Sequence, residues 1–591
     1  MSASQYSCLT ASQRTLEQTL AAFVQTGPEF NVKLSGSQTL VKLLKAHGVE
    51  YVAGIPGHGS WAIVDALHST THGIPFIQVM QEQSAVHLAD GYFRACGRPM
   101  AALVPTAIDV SKAVTGLACA HAEASAVLLL SGGEVAHIPV QGPIEETTPL
   151  GSEVSSLRVK AQWLAQSPAE LPDIMRSAFA CMLDATPRPV SLTLPLEVQY
   201  QSAEWTQAPG SVRPICERYT APRSQIKQAS TFLAKAARPV IVAGDGVLSA
   251  DACSELLRVA EGFSTPVING PDGKGCIPED HRLAAGATGR WGSACANALL
   301  ANADLVFLVG CRPLALSPCV SVIQIDDDLE MQGRSAQLLL GIEADIRSVL
   351  ADLSEALSTE QAARLSLQRT SYLTRLDALR EAWEARLTAP RTDESAPFMI
   401  QRPLAELRAA LEHDAVIVVG AGSVRRAVQQ MFPVYVPRSH LSSSTFGALG
   451  WAVPAAIGAK LALPARQVVC VVGDGDFLQA MQEMAVCVMH CIPVLFMVFN
   501  NSGYVSLRDG QTQRFGRHYA SEFNLPDGKP YSPDFTEIAR SFGLESWRVE
   551  HTSQLAPALH KALNSKGPAL LEVLVSRQST GVIDPFADEL P

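Results

Sequence analysis

Val468-Val-Cys-Val-Val-Gly-Asp-Gly-Asp-Phe477 and, after an apolar stretch of helical character, Val494-Leu-Phe-Met-Val-Phe-Asn-Asn-Ser-Gly-Tyr504 decide how this chain folds. A hydrophobic strand from Val468 to Val472 runs into Gly473-Asp474-Gly475-Asp476. A second strand, Val494 to Phe499, runs into Asn500-Asn501. Joined by a helix they form a βαβ unit, so the strands are parallel and their carboxyl ends share one sheet edge. Asp474 then lies beside Asn501. A carboxylate, an amide oxygen and a nearby main-chain carbonyl make a hard-oxygen Mg²⁺ site with room for phosphate oxygens. Gly473 and Gly475 let the backbone come close to a diphosphate. The segment predicts a diphosphate cofactor held through magnesium.

The rest of the chain supports an α/β protein. Its 591 residues are enough for about two to four domains. With 47% hydrophobic and 17% charged residues, it can bury large cores. Runs such as Ala126-Val-Leu-Leu-Leu130 and Leu305-Val-Phe-Leu-Val309 lack alternation, as strands covered on both faces do. The net charge of −11 and the lack of a long basic run argue against nucleic-acid or anionic-membrane partners. No apolar stretch is long enough to span a bilayer, and Met1 to Gly27 does not read as a secretory signal. The 13 cysteines show no metal-type pairing; Cys487 and Cys491 could share a helix face but read as buried small hydrophobes. The expected setting is the cytoplasm.

Three α/β blocks of similar size are expected, each a doubly wound parallel sheet. Residues 1–33 read as an extension, 34–205 as the first block and 222–355 as a central Rossmann-like block. Residues 356–400 read as a helical connection, 401–578 as the third block and 579–591 as a tail. The stretch 200–222, rich in Pro, Ser and Gln, reads as a linker.

On these residues the chain resembles the thiamine-diphosphate-dependent family of acetolactate synthases, 2-oxo acid decarboxylases and related carboligases. The Gly473-to-Asn501 element matches that family's cofactor motif. Gly54-Ile-Pro-Gly57, Gln81-Glu-Gln-Ser-Ala-Val-His87, Val114-Thr-Gly-Leu117 and Phe446-Gly-Ala-Leu-Gly-Trp451 fall in the family's order. The resemblance implies that the first block binds the aminopyrimidine ring and the third the diphosphate. It also implies a site between two subunits, so that a homodimer is the minimum and a homotetramer common. Glu82 would bind the pyrimidine ring, share a proton with it and so promote loss of the thiazolium C2 proton. Asp474, Asn501 and the Gly503 carbonyl would ligate Mg²⁺. Leu449 would bend the cofactor. Gly422, Ser423, Gly447, Gly473, Gly475, Asp476 and Tyr504 would complete the cofactor site. Asp245, in Gly244-Asp-Gly246, shows that Gly-Asp-Gly alone is a weak signal, since no strand ending in Asn-Asn follows it.

The chain also departs from that pattern. Where the family carries a glycine-rich turn, Pro105-Thr-Ala-Ile-Asp-Val-Ser-Lys112 stands, bulkier and charged. The usual His before the glutamate is Gln81, and Gly420 replaces an acid that often ends the strand before Gly422. The segment Gly310–Val320 is too short for a flavin-contacting loop, which argues against bound FAD. His58, in Pro56-Gly-His-Gly59, is a candidate proton-transfer group, and with Lys112 it would favour an anionic donor such as pyruvate. His87, His121 and His490 read as helix-packing residues. The leading expectation is decarboxylation of a 2-oxo acid, with pyruvate favoured, followed by carboligation to a second carbonyl compound. The alternatives are hydrolytic cleavage of a dione, simple 2-oxo acid decarboxylation, and a non-catalytic regulatory homologue.

Overall fold

The computed structural model describes residues 32–69, 73–106, 109–133, 158–205, 219–270, 272–312, 314, 316–317, 319–327, 338–578 and 584–585. The expected N-terminal extension up to residue 31, most of the linker (206–218) and nearly all of the tail lie outside the described residues. So do residues 107–108 of the departing turn and parts of the 310–320 segment.

Among the described residues three six-stranded parallel sheets are present, as the non-alternating runs predict. In the first domain a short antiparallel ribbon of β1 (Val32–Ser35) and β8 (Ser202–Trp205) ties the two ends together. The expected boundaries at 33 and 200 therefore fall inside or beside this ribbon. Between them lie β2 (Val52–Gly54), β3 (Phe76–Gln78), β4 (Met100–Val104), β5 (Val127–Gly133), β6 (Gln162–Leu164) and β7 (Val190–Pro195). Their spatial order is β3-β2-β4-β5-β7-β6. Helix α1 (Glu82–Cys96) follows β3, and α2 (Val110–Ala122) follows β4.

The central domain orders its strands β11-β10-β9-β12-β13-β14. These are β9 (Pro239–Ala243), β10 (Val267–Asn269), β11 (Ala284–Ala287), β12 (Leu305–Val309), β13 (Ser321–Asp326) and β14 (Leu338–Glu343). The expected helical connection contains α3 (Thr359–Gln368) and α4 (Thr370–Arg391). Leu376, Leu379, Trp383 and Leu387 of α4 enter a core shared by the central and third domains, so α4 is packed against both.

In the third domain the strands are β15 (Val416–Val419), β16 (His440–Ser442), β17 (Val468–Gly473), β18 (Leu495–Asn500), β19 (Glu545–Val549) and β20 (Ala569–Leu574). They run in the order β16-β15-β17-β18-β20-β19. Helices α5 (Ser423–Met431) and α6 (Ala452–Ala462) pack on this sheet, and the largely exposed α7 (Val505–Phe515) follows β18. The first and third domains meet where α1 crosses α6 at backbone distance. A Cβ on Gly91 would lie 2.2 Å from the Ala455 carbonyl oxygen, and one on Gly458 2.0 Å from that of Leu88. Only glycine fits this crossing. Beside it the Trp451 indole donates to Asp90 at 2.7 Å. One hydrophobic core runs through both domains, from Met100 and Ala102 to Cys470 and Phe496. Among the described residues no helix is long and apolar enough to cross a membrane.

Candidate cofactor site at the carboxyl edge of the third sheet

Strands β17 and β18 pair in parallel, with Gly473 opposite Phe499, and both end at one sheet edge. There Asp474, Asn501, Gly503 and Tyr504 line one cavity of about 290 Å³ with Gly422, Ser423, Gly447, Leu449, Gly473, Gly475 and Asp476. Every third-domain residue that the sequence assigned to cofactor or metal binding therefore lines one pocket.

Asp474 is 2% exposed, and its Oδ2 accepts from the Gly503 amide at 3.0 Å. Burial pushes its carboxyl up to about 6, against the pull of neighbouring main-chain amides. Among the described residues no Lys, Arg or His pairs with it, so a bound cation would supply the missing positive charge. The donors available are one carboxylate, the Asn501 amide and main-chain carbonyls, a set suited to Mg²⁺. The helix that carries Cys487 ends at Met489, so Cys491 lies beyond it and the two do not share a helix face. Cys487 is buried and Cys491 exposed.

The two asparagines divide their tasks. Asn500 turns inward, donating to Glu572 at 2.6 Å and accepting from the Ser502 amide at 3.1 Å. The chain then bends through Ser502, whose φ is +53°. Arg577 clamps this bend, its guanidinium donating to the carbonyls of Asn501 (2.9 Å) and Ser502 (2.7 Å). Gly475 cannot be larger, because a Cβ would lie 2.5 Å from the Tyr504 ring.

On the opposite wall α5 begins at Ser423, with Gly422 as its N-cap at φ +96°. Its first amides and dipole face a region suited to phosphate. Asp476 does not present its carboxylate to the cavity as a free acceptor. Its two oxygens accept from Ala421 N (2.7 Å) and Gly450 N (2.5 Å), tying both walls together. Burial raises this carboxyl also to about 6. The unusual Gly420 has a reason here, since a Cβ would lie 2.3 Å from Asp476 Oδ2.

The first-domain candidates do not line this cavity within the same chain. Glu82 opens α1 and is 5% exposed. Its Oε1 accepts from Lys112 Nζ at 2.9 Å, and Lys112 also reaches Asp109 at 3.2 Å. The departing turn thus aims its lysine at the glutamate. His58 is exposed, with its ring 4.6 Å from that of Trp61. His87 is fully buried and held down to about 3 by burial. His121 is lowered to about 4, chiefly by burial. His490 accepts from the Gln78 amide at 3.3 Å and so bridges the third and first domains.

Sequence reasoning missed Arg577, Arg425 and Glu123. Arg425 donates to the carbonyls of Ser443 (2.8 Å) and Ser444 (3.3 Å), and Glu123 accepts from the amides that follow. No period or motif links these residues to the Gly-Asp-Gly segment.

Comparison with known proteins agrees with this geometry. Three thiamine pyrophosphate enzyme profiles match in order: the N-terminal TPP-binding domain over residues 34–148, the central domain over 226–353 and the C-terminal TPP-binding domain over 420–573. The chain is 31% identical over 578 residues to the probable acetolactate synthase large subunit of Methanocaldococcus jannaschii, covering 94% of this chain and 93% of that protein. It is 30% identical to the acetolactate synthase isozyme 3 large subunit of Escherichia coli, covering 90% and 92%. The sulfoacetaldehyde acetyltransferase of Castellaniella defragrans is 28% identical, covering 94% and 95%.

Proposed function

The chain belongs to the thiamine pyrophosphate (thiamine diphosphate) enzyme family, and on that premise we propose a Mg²⁺-dependent carboligase that decarboxylates a 2-oxo acid, with pyruvate favoured. The remaining acyl unit is joined to a second carbonyl compound. Similarity to proteins named acetolactate synthase over most of the chain supports this substrate class. When bound, thiamine diphosphate supplies a thiazolium carbon that serves as electron sink as CO₂ leaves.

The chain's own residues bind, orient and move protons. Asp474, the Asn501 amide oxygen and the Gly503 carbonyl hold Mg²⁺, and the amides at Gly422 and Ser423 meet the diphosphate. Leu449 props the cofactor from the loop above. Glu82 shares a proton with a pyrimidine ring nitrogen. Because Glu82 lies outside the pocket lining of its own chain, the reading favours a homodimer or homotetramer in which each copy's Glu82 serves the other's pocket. Before Glu82 can meet the ring, Lys112 has to leave it, and a lysine side chain 60% exposed can turn to solvent. A cytoplasmic setting accords with the described cysteines, all of them free.

One observation carries this reading: a buried carboxylate with no ion pair among the described residues, facing a helix start across a cavity sized for a cofactor. Calorimetry of the full chain with thiamine diphosphate and Mg²⁺ tests it. Absence of binding would remove the reading. Binding without CO₂ release from any 2-oxo acid would replace it with dione cleavage.

A further inference from the structure

We infer that Glu123, at the end of α2 in the first domain, is a positioning residue that fixes the third-domain loop presenting Gly447 and Leu449 to the cofactor pocket. The inference rests on the reading of that pocket as a thiamine diphosphate site. Glu123 is an odd choice where it stands. It caps the C-terminus of α2, where the helix dipole disfavours an acid. Its side chain is 1% exposed, and burial raises the carboxyl to about 7.

The carboxylate has a specific task there. Oε1 accepts from Thr445 N at 2.8 Å, Phe446 N at 3.0 Å and the Ser443 hydroxyl at 3.3 Å. Oε2 faces Arg94 at 4.0 Å, and Arg94 donates to the Ser442 carbonyl at 2.8 Å. From the third domain Arg425 holds the carbonyls of Ser443 and Ser444. From the central domain Asp272 accepts from the hydroxyls of Ser444 and Thr445, while Arg312 bridges Thr445 and Asp245. All three domains thus converge on residues 442–446. The loop then runs through Gly447 (φ +72°) and Gly450 (φ +79°), where the Gly450 amide is held by Asp476. Leu449 lies between two carboxylate anchors, Glu123 from one domain and Asp476 from another. Without Glu123 two main-chain amides lose their acceptor, and the loop is free to choose other conformations. A cradle that must be ordered at the moment of binding binds more weakly than one already in place.

The test uses full-length wild type, Glu123→Ala and Glu123→Gln, with thiamine diphosphate affinity measured by calorimetry in Mg²⁺ and amide exchange of peptides spanning 440–451 measured without cofactor. The alanine variant should bind about tenfold more weakly, and its 440–451 amides should exchange faster. Glutamine keeps an oxygen in reach of both amides and should restore most of the affinity, to within about threefold of wild type. A role confined to docking the domains would lower thermal stability while leaving the affinity of the folded protein unchanged, and that result overturns the inference. If the alanine variant does not fold, the glutamine variant decides: exchange and affinity both identical to wild type overturn it. Failure of the wild type to bind thiamine diphosphate overturns the underlying reading of the pocket, a different outcome from binding that ignores Glu123.

Discussion

Replacing Asp474 by Asn should strengthen the empty protein and weaken its hold on the cofactor. Burial raises the Asp474 carboxyl from 3.8 to about 6. An acid whose folded value is raised destabilises the fold above that value. At pH 7.5 a shift of about two units corresponds to about 3 kcal/mol. Asparagine removes the charge and keeps one oxygen for the Gly503 amide. Its NH₂ group faces main-chain donors, which costs roughly 1 kcal/mol. The net gain should be about 1–2 kcal/mol, seen as a rise in melting temperature in chelator without cofactor. With Mg²⁺ present the same change removes the only carboxylate ligand proposed. Thiamine diphosphate affinity should then fall at least about tenfold, or about 1.4 kcal/mol. Calorimetry and thermal melts on the same samples give both signs. Wild-type affinity in the variant would refute the metal assignment. A variant less stable than wild type in chelator would refute the claim that Asp474 is held at a cost for binding.

Glu82→Gln should bind the cofactor yet slow exchange of its thiazolium C2 proton roughly 10²-fold, followed by NMR after acid quench; unchanged exchange would make Glu82 merely structural. Gly91→Ala drives a methyl group into the Ala455 backbone. It should cost about 1–3 kcal/mol and lower the melting temperature by several degrees, whereas an unchanged melt would mean that the α1/α6 crossing can open. Glu483 is fully buried and raised by burial from 4.5 to about 7, although it accepts from the Met80 amide. Its penalty is absent below about pH 4.5 and fully present above about 7, so Glu483→Gln should be more stable than wild type at pH 8, by up to about 3 kcal/mol, and equal to it in acid. Thermal melts across that range check it, and a variant less stable at pH 8 would reverse the sign of the argument.

The pocket of the third domain was legible because its chemistry sits where strands end. Asp474 and Asn501 follow apolar runs that can only be buried parallel strands, and parallel neighbours finish on the same edge. The decoy at Gly244-Asp-Gly246 could be set aside for the same reason. Charged side chains that act across domain boundaries gave no such signal. Glu123 and Thr445 are 322 positions apart and share no periodic pattern. Lys112 and Glu82 come from different helices, and the meeting of the two follows from how α2 packs beside α1. Asp476 reads like a ligand from its motif, yet it spends both oxygens on Ala421 and Gly450.

The glycine crossing of α1 and α6 also bears on how the protein is made. Trp451 and Asp90, which meet at that crossing, are 361 positions apart. A ribosome adding about 5–20 residues per second takes roughly twenty seconds to a minute to supply the second helix after the first. During that interval the emerging first domain carries α1 with its small-residue face uncovered and Asp90 without the Trp451 indole. A surface shaped for one helix and held open that long is one a chaperone has reason to cover. Slowing synthesis between the first and third domains should therefore harm the yield of folded protein more than slowing it after residue 462.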